Sequence, residues 1–339
     1  MDCDVQVKPE LDPEFRPAVL WNRAYRERVD GSGRGREVAI ALIRPDGTSS
    51  AYRTRILPRD TEDGTSLRYL ERTLKFLLWQ RGGCTVRIAG CDVLTEELAT
   101  VYSPAGARAF DHDFFGSRCY LRPLTVEACP HDTIPEPGES VVPLGRHLDG
   151  CRIGFDLGGS DRKCAALIDG EVVFSEEVGW DPYFRSDPDY HVEGIHDSLV
   201  RAAAHLPRVD AIGGSAAGVY VDNEVRVASL FRGVSPVDFE KRIRRIFLDL
   251  KARWNDVPFE VVNDGEVTAL AGSMSMNESA VLGLAMGTSE AVGYVDPEGN
   301  VTSMLNELAF APVDFREDAP IDEWSGDAGC GVQYFSQQA

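Results

Sequence analysis

Three short stretches hold residues that could handle a phosphate group. "DLGGS" places Asp156, Gly158, Gly159 and Ser160 at the end of an apolar strand. Glycines in a tight strand-to-strand turn bare their backbone N–H groups, which can cradle phosphate oxygens. An aspartate just ahead of them could hold a metal-bound water beside those oxygens. A plain hairpin turn has the same composition, so the stretch alone is weak. It is not a Walker loop, because no GK[ST] follows, nor a dinucleotide fingerprint, because GxGxxG is absent. "VVNDGEVTALAG" sets Asn263 and Asp264 between an apolar strand and a helix. A carboxylate there can take the proton of a substrate hydroxyl and turn that oxygen into a nucleophile towards phosphorus. The same pair could simply cap the helix. "AMGTSEAVGY" offers Gly287, Thr288 and Ser289 as further N–H and hydroxyl donors at a turn, with an incidental hairpin as the bland alternative. Three such pieces in this order are much harder to obtain by chance than any one of them.

The elements that must position these residues alternate between strand and helix, which points to an α/β protein. "RIGFDLG", "KCAALID" and "EVVFSEEV" read as strands around the first loop, followed by a helix over residues 190–206. "VDAIGGSAAGVYV" is a strand into a glycine-rich turn. "VDFEKRIRRIFLDLKARW" reads as one amphipathic helix, with Phe239, Ile243, Ile246, Phe247 and Leu250 on one face and its basic run solvated. Upstream, residues 1–36 read as an irregular arm and residues 37–128 as a smaller N-terminal α/β domain. That domain contains a hairpin around Pro45-Asp46-Gly47, a leucine-rich helix stopped by Gly82-Gly83 and a strand "CTVRIAGC". A proline- and acid-rich linker spans 129–150. The first main domain runs over 151–272 and the start of a second over 273–339. A weak echo between the first hairpin and "CAALIDGEVVFSEEV" raises the idea that 37–128 is a degenerate copy of the later domain; an unrelated domain is the competing reading.

Composition narrows the function classes. The 339 residues carry 35 basic and 55 acidic side chains, a net charge of −20. That field repels phosphate backbones and anionic lipid, so nucleic-acid and membrane partners are not expected. Eight scattered cysteines without a CxxC, and an opening without a basic start and apolar run, fit reduced thiols and a cytoplasmic location. His191 and His196, five apart, are poorly spaced for a metal on a helix and read as surface residues. Trp21, Trp79 and Trp254 read as packing residues.

In order, "DLGGS", "GSAAG", "VVNDGEVTALAG", "MGTSEAVG", "NELAF" and "SGDAGCGVQYFS" resemble the ROK family of sugar kinases and sugar-responsive regulators, within the superfamily of actin-like ATPases, sugar kinases and Hsp70 chaperones. The resemblance covers residues 151–339. It implies actin-like ATPase (ribonuclease H-like) domains and phosphorylation of a sugar or related polyol by ATP with Mg2+. It casts Asp264 as the general base and Asn263 and Glu307 as sugar contacts. Gly158, Gly159 and Ser160 would face the phosphates with Asp156 near the metal, and Gly287 and Thr288 would hold phosphate from the other side. Departures accompany the match. The family's structural zinc is held by one histidine and three cysteines, yet Phe310 stands at the histidine position, Ser325 at one cysteine position, and of the cysteines only Cys330 remains. No structural zinc is expected, since one thiolate cannot build a tetrahedral site. The family's last glutamate is Val332 here. Family members also usually continue past this chain's last residues.

Three readings stay open on the sequence: an ATP-dependent sugar kinase, a non-catalytic sugar- or nucleotide-binding regulator of the same fold, and an ATPase coupled to a partner protein. The small-molecule partners expected are a sugar and ATP, and a homodimer is compatible with the sequence.

Overall fold

The computed structural model describes residues 5–58 and 64–337, so Cys3 lies outside the described residues. The chain divides into two units, and neither is continuous in sequence. Unit 1 comprises Met1–Val141, Ala285–Ala291 and Thr302–Ala339; unit 2 comprises Val142–Leu284 and Val292–Val301.

Unit 1 opens with α1 (Ala18–Ser32), which lies inside the stretch expected to be an irregular arm. Its buried residues Trp21, Tyr25 and Val29 recur every fourth position, and Gly33 ends it in the left-handed conformation, with φ of 65°. Strands β1 (Arg36–Ile43) and β2 (Ser49–Ile56) form the expected hairpin. Helix α2 (Thr65–Arg81) follows, buried through Leu70, Leu74, Leu77 and Leu78, and stops at Gly82, φ 73°. After β3 (Thr85–Ala89), α3 (Asp92–Val101) and α4 (Ala109–Asp113), strand β4 (Thr125–Ala128) completes a sheet ordered β2-β1-β3-β4. In this sheet β3 returns antiparallel to β1.

Beneath α2 lies a buried ionic cluster. Asp327 accepts Arg72 Nη1 at 3.0 Å, Lys75 Nζ at 3.0 Å and Arg108 Nη1 at 2.6 Å. Lys75, which is fully buried, also faces Asp111, whose Oδ1 accepts the Trp79 indole N–H at 2.6 Å. Glu71 pairs with Arg72 and Arg108. Such a cluster is stable only when every charge is answered, because each unpaired ion would carry a desolvation cost of several kcal/mol.

Unit 2 starts within β5 (Val141–Val142), a short strand in the segment read as linker. Strands β6 (Cys151–Leu157), β7 (Asp161–Ile168) and β8 (Glu171–Gly179) form an antiparallel meander. Helix α5 (Pro188–Ala203) crosses to β9 (Ala211–Ala216), which lies parallel to β6. A small hairpin, β10 (Val219–Val221) with β11 (Glu224–Val227), leads to α6 (Pro236–Asp238), a π-turn at Phe239–Ile243 and α7 (Ile246–Arg253). The amphipathic segment is thus broken at Arg244 and Arg245 instead of forming one helix, although Ile243, Ile246, Phe247 and Leu250 are all buried as their spacing predicts. Strand β12 (Phe259–Asn263) lies parallel to β9, and α8 (Asp264–Met276) follows it. The sheet order is β12-β9-β6-β7-β8. One face is closed by α5 and α7: Ile153, Phe155, Cys164, Ile195, Leu199, Phe247 and Leu250 form one cluster there.

His191, read as a surface residue, is instead fully buried in α5. Its Nε2 lies 3.1 Å from the Pro182 carbonyl, with Trp180, Tyr190 and Phe231 around the ring. Strands β13 (Val281–Met286), β14 (Glu290–Val295) and β15 (Val301–Thr302) join β5 in a sheet ordered β13-β14-β15-β5, and the chain passes from one unit to the other within these strands. No helix among the described residues is long and apolar enough to cross a membrane.

Candidate active site

Unit 2 brings together Asp156, Gly158, Gly159, Ser160, Asn263 and Asp264, all at the carboxyl ends of the parallel strands β6 and β12 or in the turns that leave them. In open α/β sheets this is the edge at which ligands bind, because helix starts and strand ends converge there. Asp264 is the first residue of α8, and Asn263 is its N-cap. The Asn263 side-chain oxygen accepts the Gly265 N–H at 2.7 Å, and its amide donates to the Gly218 carbonyl at 2.8 Å. Asn263 therefore performs the capping role that its sequence position also suggested. Asp264 Oδ1 accepts the same Gly265 N–H at 3.2 Å. Burial pushes the Asp264 carboxyl above its ordinary range, hydrogen bonds from its own turn pull it back, and the nearby charge of Asp156 adds to the rise. The two carboxylates thus sense each other.

The residue after Asp264 is glycine for a packing reason. A Cβ on Gly265 would stand 2.5 Å from the backbone N and O of Val292, and one on Gly293 would stand 2.2 Å from the Gly265 carbonyl. The first turn of α8 therefore lies directly on β14, which fixes where Asp264 can be.

In the first loop, Gly158 N–H closes the turn onto Asp161 O at 2.9 Å, and its carbonyl accepts the Trp180 indole at 2.8 Å. The Ser160 hydroxyl donates to Asp161 at 2.8 Å. Among the described residues the N–H groups of Gly159 and Ser160 make no hydrogen bond, and these are the two donors that a phosphate cradle needs. Gly159 is required by a close approach: a Cβ there would meet the Tyr183 hydroxyl at 2.2 Å. Asp156 forms no ion pair or hydrogen bond among the described residues. An unpaired carboxylate beside two free N–H donors fits a metal-chelated phosphate chain.

Unit 1 holds the other expected residues. Gly287 sits in the turn between β13 and β14, its N–H bonded to Ser289 O at 3.0 Å and its carbonyl to Gln337 N at 2.8 Å. Thr288 follows in the same turn. Glu307 precedes a single 3-10 turn, Leu308–Phe310, and its N–H donates to Trp79 O at 3.0 Å. The residues at the family's zinc positions are otherwise engaged. Phe310 packs its ring 4.5 Å from Trp79, Ser325 donates to Asp322, and the Cys330 thiol is fully buried and pushed up to about 12, chiefly by desolvation. That set does not fit a zinc ion.

The sequence reading passed over Glu290. It is 7% exposed in β14, and its Oε2 has no hydrogen-bond partner among the described residues. The tip lies against Gly331, where a Cβ would stand 2.5 Å from Oε2, and burial raises its carboxyl to about 7. The available signal was a charged residue inside a glycine turn that then runs on into apolar strand.

The five-stranded order, with β7 antiparallel to both its neighbours and β6, β9 and β12 parallel, is the ribonuclease H-like core of the actin-like ATPase fold. No protein-family model matches the chain, and no curated protein matches it. Solved structures similar to it include a ROK hexokinase from Thermus thermophilus, with 19% identity and a TM-score of 0.41, covering 54% of this chain and 58% of that one. A ROK-family transcriptional regulator, described as a homologue of the E. coli MLC protein, shows 17% identity and a TM-score of 0.43, covering 57% of this chain and 48% of its own. A glucokinase from Parabacteroides distasonis shows 16% identity and a TM-score of 0.35, covering 46% and 47%. The chain spans about half the length of the structures it matches.

Proposed function

We propose that the chain transfers a phosphoryl group from ATP to a hydroxyl of a sugar or related polyol. The observation that carries this reading is Asp264: a half-buried carboxylate held at a helix start, with raised proton affinity and an unpaired second carboxylate, Asp156, acting on it. A capping role alone is already filled by Asn263, which leaves Asp264 without a structural task of comparable weight. In the proposed reaction Asp264 accepts the proton of the attacking hydroxyl as its oxygen closes on phosphorus. The N–H groups of Gly159 and Ser160 hold phosphate oxygens, and Asp156 orients the metal. Magnesium bound with ATP would draw charge from the transferring group. Glu307, Gly287 and Thr288, in unit 1, are proposed to contact sugar and phosphate.

The test is ADP release by the purified chain with Mg-ATP across hexoses, amino sugars and polyols. Sugar-stimulated turnover that falls by roughly 10²–10⁴ in Asp264→Asn supports the base assignment. Sugar or nucleotide binding without turnover in the unmodified chain would overturn it and favour a regulator. That second reading has its own observation: the family's second sugar-side glutamate is replaced by Val332, which is buried.

A further inference from the structure

The turn that follows β8 brings further side chains to the first loop. Strand β7 runs antiparallel to both β6 and β8, so these two end at the same edge of the sheet, where that loop lies. The chain leaves β8 through Trp180, whose backbone N–H donates to Ser160 O at 3.0 Å and whose indole donates to Gly158 O at 2.8 Å. A 3-10 turn, Pro182–Phe184, comes next and is held from two sides. His191 Nε2 lies 3.1 Å from the Pro182 carbonyl. Gly233 approaches so closely that a Cβ there would stand 2.9 Å from Tyr183 O and 2.7 Å from Arg185 O.

This packing sets the tip of Tyr183 against Gly159, where a Cβ would meet the hydroxyl at 2.2 Å. The ring is half-buried, and its hydroxyl forms no hydrogen bond among the described residues. A phenol O–H can donate, so it stands as a third donor beside the free N–H groups of Gly159 and Ser160. Arg232, the residue before Gly233, holds its guanidinium carbon 4.2 Å from the centre of the Tyr183 ring and 5.3 Å from that of Phe184. It is exposed and forms no ion pair among the described residues. The cations on β7 are already engaged: Arg162 pairs with Asp197 at 3.0 Å and Lys163 with Asp161 at 2.9 Å. A cation over an aromatic face draws on the π-density of the ring, which makes a phenol O–H a stronger donor towards an anion.

We propose that Tyr183 donates to a phosphate oxygen seated on the first loop, and that Arg232 is a positioning residue acting through the Tyr183 ring. The ligand class is a metal-chelated polyphosphate. Asp156 and Asp264 give this edge of the sheet a negative field, so an anionic ligand gains from each donor set against it. The proposal rests on the phosphate reading of the loop given above.

The test is titration calorimetry of the full chain with Mg-ATP and with Mg-tripolyphosphate, which carries the phosphate chain without the nucleoside. Tyr183→Phe keeps the ring and the seat of Arg232 and removes only the hydroxyl. It should weaken both ligands by a similar factor, roughly 10–100-fold for a lost hydrogen bond to a charged group, with the urea midpoint unchanged. Arg232→Gln should weaken them about two- to fivefold, and Arg232→Lys should recover most of that. In the Tyr183→Phe background Arg232→Gln should add nothing. A full effect in that background would overturn action through the ring. Mg-ATP binding untouched by Tyr183→Phe would overturn the inference and leave the phosphate reading of the loop standing. A loss confined to Mg-ATP would place Tyr183 on the nucleoside and overturn it as well. No binding of either ligand by the unmodified chain would overturn the loop reading and the inference together. If Tyr183→Phe does not fold, equal weakening by Arg232→Gln and Arg232→Lys would overturn the inference, and recovery by Lys would support it.

Discussion

Replacing Glu290 by Gln should remove one specific pH dependence of stability. In the folded chain burial raises this carboxyl from its ordinary 4.5 to about 7, and no charged group offsets the rise. A raised carboxyl favours the protonated fold. Its contribution is complete below about pH 4.5, where both states hold the proton, and is lost as pH climbs towards about 7, because only the unfolded chain releases its proton cheaply. The full loss corresponds to roughly 3 kcal/mol, from 1.36 kcal/mol per pH unit between the two values. Gln has nearly the same shape and cannot ionise. Urea denaturation of both proteins between about pH 4.5 and about pH 8 isolates the effect, since every other titrating group is common to both. The unmodified chain should lose roughly 3 kcal/mol relative to the Gln variant across that window. Parallel curves would show that Glu290 reaches water or a cation in solution, and would refute the reasoning.

Two further perturbations follow from close packing and buried charge. Gly265→Ala should destabilise by roughly 1–3 kcal/mol, since its Cβ meets backbone atoms that cannot swing away. It should also cut turnover beyond its effect on melting by displacing Asp264, a split seen by comparing kcat with the denaturation midpoint. Asp327→Leu leaves Arg72, Lys75 and Arg108 without their shared counter-charge and should cost about 3–5 kcal/mol in chemical denaturation.

The meander β6-β7-β8 and helix α2 were legible because their periodicity is local: leucines three and four apart, and strand residues alternating around a glycine turn. Asp156, Gly158–Ser160 and Asp264 were legible because each follows an apolar strand. Helix α1 was not, since "WNRAYRERV" hides three buried residues among polar ones and its N-cap is a proline without a side-chain oxygen. His191 misled for the opposite reason: the polar type was visible, but the aromatic cage that buries it comes from three separate segments. Arg72 pairs with its neighbour Glu71 but also with Asp327, 255 residues away, and no window on the sequence links Arg72 to Asp327. The role of Asn263 as cap was foreseen as an alternative, and its side-chain oxygen fills that role on the Gly265 N–H.

The discontinuity of unit 1 bears on how the chain is made. Proteins emerge from the ribosome amino end first, and their domains commonly fold in that order. Here α2 and the segment bearing Arg108 appear early, carrying three cations destined for the interior, while Asp327 is synthesised near the end. Nearly all of unit 2 is a single stretch that is complete before then. A nascent chain halted before residue 327 would leave Arg72, Lys75 and Arg108 with Glu71 and Asp111 but without the carboxylate that all three share. The interval between translation of α2 and arrival of Asp327 is thus one in which three cations of the cluster share two carboxylates instead of three.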